Sequence, residues 1–246
     1  MSDVEGIVTF QGFVSSFTDF LTVAIHTILY ERDIYPRTSF LSAKKYNYSV
    51  RQNRHPRVCR WITDAVSAVE KELLRGTVER VAVVIYSKED KPLERFMFDL
   101  SRFPVVPLSE QGTPMVRSSE NGDKVAILPP VDLEEQFRAT MARLANCGSR
   151  LKPIPTGCTF TLAIELRDES HPPIGHPQPW IPAQPTLQKT IHMHDGGKSV
   201  GKGDDVGGIR TTPIRSVAAG EMVFEMWIEE GKTKTEDALS TAGSTK

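Results

Sequence analysis

The chain has 246 residues, enough for one large domain or two small ones, and its 39% hydrophobic and 25% charged residues are typical of soluble globular proteins. Its formal net charge is -1, so we expect no overall field that would draw it onto nucleic acid or an anionic membrane. No uninterrupted apolar run approaches the roughly 20 residues that span a bilayer, and the acidic start, MSDVEGIVTF, lacks the features of a signal peptide.

Two helices are predicted in the first third of the chain. From Gly12 to Asp33 apolar residues recur at spacings of three and four, which marks a broad, Phe-rich helix face with Thr9 as a candidate N-cap. A second helix begins at Pro56 and ends just before Gly76. Between the two helices, the alternating segment Lys44–Val50 predicts an edge strand or a short hairpin.

Strands dominate the remainder of the chain. Val78–Ser87 and Pro92–Leu100 are separated by the charged turn KEDK and predict an antiparallel hairpin. Further predicted elements are a third helix over Asp132–Asn146, a strand over Gly157–Arg167 and a strongly apolar strand over Met222–Ile228. Three helices with strands that are adjacent in sequence indicate one α+β domain.

Two segments are predicted to lack regular structure. Residues 103–130 are rich in Pro, Ser and Gly with few apolar anchors, and we expect a long mobile loop. Residues 231–246 are polar and are expected to form a disordered tail. The domain is therefore predicted to cover residues 1–230.

The segment Pro177–Asp195, PQPWIPAQPTLQKTIHMHD, has the most distinctive composition in the chain. Prolines surround Trp180, and because each proline removes a backbone donor the segment cannot be a helix and makes a poor central strand. A large aromatic residue on a stiff connector between late strands indicates a strap laid over a finished domain. We expect such a strap to hold a partner rather than to perform chemistry.

Motifs for phosphate binding, metal binding and catalysis are weak. The stretch Gly196–Gly203, GGKSVGKG, resembles a phosphate loop, but Gly203 stands where the metal-binding hydroxyl belongs and the following DDVGG cannot open a helix. His192, His194 and Asp195 have the alternate spacing of zinc ligands but lack clear further ligands. A hydrolase or metalloenzyme using these three residues is the last-ranked alternative; we predict no enzyme, no metal and no cofactor.

The cysteines point to a reducing compartment. Cys59, Cys147 and Cys158 are far apart, odd in number and without a C-x-x-C pattern. Buried free thiols are therefore expected rather than a disulfide framework or a zinc site. We expect an intracellular protein.

Three side chains at the borders of apolar faces are candidates for binding. Trp61 lies at the edge of the second helix's stripe, as a rim residue closing the core or as an anchor projecting toward a groove. Trp227 shares a strand face with Val223 and Glu225, opposite the apolar face, and we expect it to be exposed. Arg138 falls on the flank of the third helix, where a solvated charge is the ordinary role.

Several segments, in order along most of the chain, resemble the HORMA-domain family, and within it the accessory subunits of translesion DNA polymerase zeta. None is diagnostic alone, but jointly they are specific. The segments are ILYERDIYP (Ile28–Pro36), KKYN (Lys44–Asn47), His55-Pro56, VAVVIYSKEDKPLERFMFD (Val81–Asp99), GCTFT (Gly157–Thr161), PWI (Pro179–Ile181) and HMHD (His192–Asp195).

The resemblance implies a domain core over residues 8–168 and a C-terminal "safety belt" over residues 169–230, which encloses a proline-containing partner peptide added as a strand. It implies peptide-binding roles for Trp61 and Trp180. Pro182 replaces an apolar aliphatic residue that also touches the peptide in the family.

The resemblance also implies two further surfaces. Glu225 and Trp227 fall on the strand that receives the C-terminal domain of a Y-family polymerase. Arg138 matches an arginine used in self-association through the third helix.

The function implied is a non-catalytic adaptor that captures a peptide of the polymerase zeta catalytic subunit and bridges it to a Y-family polymerase for DNA damage bypass in the nucleus, or in nucleus and cytoplasm. The implied partners are these two polymerases and a second copy of the chain, with no direct nucleic-acid or membrane contact. The alternative within the same fold is a spindle-checkpoint or meiotic HORMA signalling protein.

Overall fold

A computed structural model of the chain describes residues 9–118, 124–126, 130–167, 173, 180, 208–220, 222–232 and 234. Its α-helices are α1 (Phe10–Glu31), α2 (Pro56–Leu74) and α3 (Pro130–Leu144), and short 3-10 turns cover Arg37–Ser39 and Cys147–Arg150. Its strands are β1 (Phe40–Lys45), β2 (Tyr48–Asn53), β3 (Val78–Tyr86), β4 (Pro92–Asp99), β5 (Val116–Ser118), β6 (Lys124–Ala126), β7 (Thr159–Leu166), β8 (Gly208–Ala219) and β9 (Met222–Gly231). The α+β class is confirmed.

The first helix begins and packs as its sequence predicts. The Thr9 hydroxyl accepts a hydrogen bond from the Gly12 backbone N–H at 3.1 Å, which caps the helix. The phenylalanines of its apolar face are fully buried, and the rings of Phe17 and Phe20 contact Phe224 of β9. By length and composition α1 could also cross a membrane, but 67% of its apolar window is buried in the fold, as in the central helix of a globular domain.

The second helix also has the predicted ends. Pro56 occupies its first turn, and Gly76, just past the last turn, has a φ of +72°. A side chain at that glycine would place its Cβ 2.8 Å from Val105 Cγ1, so both the backbone conformation and the close approach favour glycine. The inward stripe of α2 is buried against the main core.

A five-stranded antiparallel sheet carries the core. Its strand order is β7-β3-β4-β9-β8, and the predicted β3–β4 hairpin forms its centre. One face packs against α1 and α3, where Phe98 contacts Phe17 and Phe137 stacks on Phe20. The opposite face carries a smaller apolar cluster around Ala82, Val84 and Met97.

The C-terminal hairpin differs from the sequence prediction. β8 precedes β9 and occupies the outer edge of the sheet, although no strand was predicted there. Pro213 interrupts the pattern of that segment, and the β8–β9 register shifts between Pro213 and Arg215. A proline is tolerated because β8 is an edge strand. The hairpin pairs with the rest of the sheet only through β9 and β4 among the described strands.

The segment predicted as a loop with few anchors is held to the core in its first half. Phe103 is buried with its ring centroid 4.7 Å from that of Phe13. The Gln111 side-chain amide donates to the Leu74 carbonyl at 2.5 Å and to the Val106 carbonyl at 3.1 Å. The prediction of few anchors is wrong here, because a single phenylalanine and a single glutamine supply them. β5 and β6 form a short antiparallel pair further along the same segment.

The predicted strand or hairpin between the first two helices is a hairpin. β1 and β2 pair from Phe40 opposite Asn53 to Lys45 opposite Tyr48 and form a two-stranded sheet of their own. The turn residues Tyr46 and Asn47 both have positive φ, the conformation that matches the twist of a two-residue hairpin turn.

Four buried charged side chains join the C-terminal segment to the domain; we call Arg32, Glu94, Glu230 and Lys234 the ion quartet. Arg32 binds Glu94 through both guanidinium nitrogens, at 2.8 and 2.7 Å, and donates to the Lys152 carbonyl at 2.7 Å. Lys234 contacts Glu94 and donates to Glu230 at 2.5 Å.

The ion quartet contains two positive and two negative charges, so the interior carries no net charge there. Burial tends to raise the pKa of Glu230, but the hydrogen bond and charge of Lys234 outweigh it and lower that pKa. Lys234 belongs to the segment predicted as a disordered tail, yet only 3% of it is exposed. The Lys234 ammonium group contacts the carboxylates of Glu94 and Glu230, and the composition of the segment does not predict these contacts.

We expect Lys234→Met to lower the free energy of unfolding by roughly 3–5 kcal/mol, because it leaves buried carboxylate charge uncompensated. Urea unfolding of the whole chain measures this loss. The control is Lys232→Met, the same change at an exposed position two residues earlier. Equal stability of the two variants would show that the quartet does not hold the C-terminal segment.

A buried histidine makes stability depend on pH. Burial lowers the pKa of His26 to about 4, and its Nδ1 accepts a hydrogen bond from the Asn53 backbone N–H at 3.3 Å. The unfolded chain takes up a proton near the ordinary value of 6.5, whereas the folded chain keeps this ring neutral. The contribution of His26 to the free energy of unfolding is therefore complete above about pH 6.5 and is lost as the pH falls toward about 4.

We expect the His26 contribution to decrease by roughly 3 kcal/mol as the pH falls from about 7 to about 4. His26→Asn keeps a hydrogen-bond acceptor but cannot be protonated, so its stability should fall less steeply with acid. Urea unfolding at a series of pH values for both proteins isolates this difference. Parallel curves would contradict the assignment.

Candidate functional site

Among the described strands, β7 has a partner on one side only and forms an edge of the central sheet. It pairs with β3 along its length, from Tyr86 opposite Thr159 to Val78 opposite Leu166, and no described strand pairs with its other side. Backbone N–H and C=O groups on such an edge are a template for an additional strand. The opposite edge of the sheet is already occupied by the C-terminal hairpin.

An aromatic group lies over this open strand. Trp61 of α2 packs edge-on against Phe160 of β7, with ring centroids 4.9 Å apart and an interplanar angle of 78°. Tyr35 packs on Phe160 at 6.4 Å. Burial raises the pKa of Tyr35, so its hydroxyl is neutral at physiological pH. We call the open side of β7 with these three rings the β7 edge.

Trp61 has the border position that its helical spacing predicts. Its neighbour Ile62 points into the core and is fully buried, whereas Trp61 is 41% exposed. Contact with Phe160 covers part of the indole and leaves the rest open to a ligand. This exposure is compatible with both readings of Trp61, a rim residue and a projecting anchor, and its role in peptide binding stays a prediction.

Trp180 is half-buried and packs against the main core. It is neither sealed in the interior nor free in solvent. Pro182 lies outside the described residues, as do His192, His194 and Asp195. The structure therefore brings Trp61 together with Phe160 and Tyr35, and the predicted roles of Trp180 and Pro182 stay predictions.

Trp227 is less exposed than predicted. It lies on the expected face of β9 beside the exposed Glu225, but it packs against the apolar cluster on the open face of the sheet. Met97 is directly opposite it on β4, and the Trp227 Nε1–H donates to Glu229 at 2.8 Å. The prediction failed because the apolar neighbours belong to other strands.

Arg138 occupies the flank of α3. Its guanidinium lies 3.5 Å from Glu135 one turn earlier, and 43% of the side chain is exposed. Such a pair contributes little to stability. The side chain is accessible to a partner, and its role in self-association stays a prediction.

The described part of the chain contains no metal site, and two of its cysteines are poor nucleophiles. Its His, Cys, Asp and Glu side chains form no group of three or more that could hold a metal ion. Burial raises the pKa of the Cys147 thiol to about 12, and burial also raises that of Cys158. These thiols are therefore protonated at neutral pH and are poor nucleophiles.

Sequence reasoning missed Tyr35 and Phe160. Phe160 lies in the predicted strand over Gly157–Arg167, but alternation alone does not identify which strand ends at a sheet edge. Tyr35 directly precedes Pro36, beyond the first predicted helix, where no local pattern marks it as a binding residue. Neither residue can be grouped with Trp61 from sequence, because the packing of α2 against β7 is a long-range contact.

Comparison with known proteins identifies the fold and its relatives. The HORMA domain family model matches residues 14–197. The DNA polymerase zeta processivity subunit of Schizosaccharomyces pombe is 31% identical over 220 residues, covering 88% of this chain and 92% of that protein. The mitotic spindle assembly checkpoint protein MAD2B of Homo sapiens is 30% identical over 217 residues, covering 86% and 88%.

Solved structures agree on the fold. A chain in the crystal structure of the mitotic checkpoint complex has a TM-score of 0.62 at 18% identity, covering 89% of this chain and 98% of that chain. C. elegans HTP-2 bound to HTP-3 closure motif 1 has a TM-score of 0.54 at 12% identity, covering 91% and 88%. Likeness at these identities concerns the fold alone. With three quarters of its length matched by the family model, this chain belongs to the HORMA domain family.

Proposed function

We propose that this HORMA-domain protein is a non-catalytic adaptor subunit of DNA polymerase zeta that captures a proline-containing peptide of the catalytic subunit on its β7 edge. Its relative in Schizosaccharomyces pombe is named a processivity subunit of that polymerase. The observation that carries the proposal is a sheet edge at which β7 has no further partner among the described strands, beside a tryptophan with 41% of its surface exposed. Work on a nuclear polymerase would place the protein in the nucleus.

The strand edge would provide binding affinity, and the aromatic rings would provide selectivity. A peptide added along β7 gains main-chain hydrogen bonds whatever its sequence. Side chains on one face of that peptide would meet Trp61 and Phe160, and a proline ring can pack on an indole without having to satisfy a backbone donor. C. elegans HTP-2, which shares this fold, is bound to a closure motif of HTP-3 in its solved structure.

Chain connectivity supports enclosure of the peptide. Residues 168–207 join β7 at one edge of the sheet to β8 at the other. Four inter-strand spacings separate these edges, roughly 19 Å, whereas 40 residues of extended chain reach many times further. The surplus length, which includes Trp180, is available to pass over a bound peptide, and its closure would slow dissociation.

We expect Trp61→Ala to weaken peptide binding by roughly 30-fold or more, about 2 kcal/mol, as buried aromatic anchors do. Trp180→Ala should have an effect of the same order. Titration calorimetry with proline-containing peptides tiled from the polymerase catalytic subunit measures both. Leu41→Ala is the matched control, because Leu41 is 42% exposed but lies on β1, away from the β7 edge.

Backbone pairing has its own test. N-methylation of alternate peptide residues in one register should abolish binding, while the other register should tolerate it, because only every second N–H of an added strand points to β7. Unchanged affinity in both tryptophan variants would refute the site. Sensitivity to both methylation registers, or to neither, would refute strand addition.

A second partner surface is proposed on β9. Glu225 is exposed and Trp227 half-exposed on the open sheet face, remote in strand order from β7. This surface would receive the C-terminal domain of a Y-family polymerase. We expect Glu225→Lys to weaken that binding in a pull-down without changing the affinity for the catalytic-subunit peptide; loss of both would indicate unfolding instead.

Self-association is proposed through α3. We expect Arg138→Ala to shift any dimer toward monomer in sedimentation equilibrium, because its partner among the described residues, Glu135, is exposed on the same helix and easily exchanged. Lys71→Ala, an exposed cation on α2, is the control. A wild-type chain that is monomeric at high concentration would contradict this proposal.

The rival function is checkpoint or meiotic signalling, which is favoured by relatives named MAD2B. It uses the same fold but a different ligand. Affinity purification from cell extract separates the two functions. Recovery of checkpoint or chromosome-axis proteins without polymerase subunits would favour the rival.

A further inference from the structure

The small net charge of the chain conceals a strong local segregation. Residues 34–63 contain seven lysines and arginines and no aspartate or glutamate. Because the whole chain has a net charge of -1, the remaining residues together carry -8. The positive segment is continuous in sequence and covers the β1–β2 hairpin and the start of α2.

The fold displays all of these cations on the surface. We call them the basic ribbon: Arg37, Lys44, Lys45, Arg51, Arg54, Arg57 and Arg60, each of which is exposed. On the hairpin, Lys44 is opposite Ser49, which places Arg51 diagonally across from Lys44 on the same outward face, roughly 7 Å away. On α2, Arg57 and Arg60 are three residues apart and share a side of the helix.

Much of this charge is available to a ligand. Arg37 pairs with Asp33, and Lys45 pairs with Asp19, in exposed contacts that are easily exchanged. The side chains of Lys44, Arg57 and Arg60 form no ion pair and no hydrogen bond with any described residue.

Neighbouring groups prearrange the rest of the basic ribbon. The Arg37 and Arg51 guanidiniums both lie over the Tyr30 ring, at 4.6 and 4.9 Å, which orients two planar donors. Nearby, α2 has no acidic residue in its first turn and no side-chain cap on its free N–H groups, so its N-terminus adds to the positive potential.

We propose that the basic ribbon binds the sugar–phosphate backbone of duplex nucleic acid. Five of its seven cations are arginines, whose planar forks suit phosphate oxygens. A two-stranded ribbon also has the width that a duplex major groove admits. This surface adjoins the β7 edge, because Arg57 lies one helical turn before Trp61 on α2, but the inference does not depend on the identity of the captured peptide.

The same observations favour nucleic acid over an acidic protein. Protein interfaces are anchored by apolar and aromatic side chains. Within residues 34–63 the exposed large apolar side chains are Leu41 on β1 and Trp61 on α2, and Trp61 already packs against Phe160. Phosphate binding needs no such anchor. The expectation of no nucleic-acid contact followed from net charge, which averages over surfaces of opposite sign.

The test is binding of a short DNA duplex of mixed sequence by fluorescence anisotropy across a series of salt concentrations. We expect the triple variant Lys44→Gln, Arg57→Gln, Arg60→Gln to weaken binding at low salt by at least roughly tenfold. The slope of log affinity against log salt should fall in magnitude by roughly 2 to 3, because about three phosphate contacts are lost.

The matched control is Lys71→Gln, Lys88→Gln, Lys91→Gln, which removes the same charge from three exposed lysines outside the basic ribbon. Its affinity should stay close to that of the wild type, and both variants should unfold at the wild-type urea concentration. Equal weakening by both triples, or no duplex binding at low salt, would overturn the proposal. So would a polyglutamate peptide that binds as tightly as the duplex and depends on the same three cations.

Discussion

The ion quartet joins the C-terminal segment of the protein to α1 and β4. Arg32 ends α1, Glu94 belongs to β4, and Glu230 and Lys234 belong to the C-terminal segment. Each buried charge would be costly alone, but two pairs with hydrogen bonds leave no net charge in the interior. The C-terminal hairpin is thereby joined to β4 by charge as well as by strand pairing, and this arrangement leaves the other end of the sheet available.

The two ends of the sheet consequently have different properties. At one end β8 closes the sheet with a proline-containing edge, which suits a strand that needs no further partner. At the other end β7 has no partner among the described strands on its outer side, where Trp61 packs against Phe160. The segment that joins these ends is long enough to pass over an occupant. The position of the hairpin is compatible with the proposed peptide capture, because a hairpin paired with β7 would occupy the edge that the peptide needs.

Local sequence patterns predicted the ends of helices correctly where a single residue caps the helix or sets its backbone conformation. Thr9, Pro56 and Gly76 mark helix ends because caps and backbone conformations depend on near neighbours. Prediction failed where the partner is distant in sequence. β8 owes its pairing to β9, and Lys234 is ordered by Glu94, which lies 140 residues away.

The amino-acid sequence by itself determined the α+β class, the three helices, the β3–β4 hairpin, the family and the border position of Trp61. Periodicity, capping and the order of the motifs suffice for these features, because each depends on residues that are close together in the sequence. Tertiary structure alone decided which sheet edge stays open, that Phe160 completes the aromatic group and that Met97 covers Trp227. These depend on strand order, and strand order is set by contacts between residues that the sequence keeps far apart.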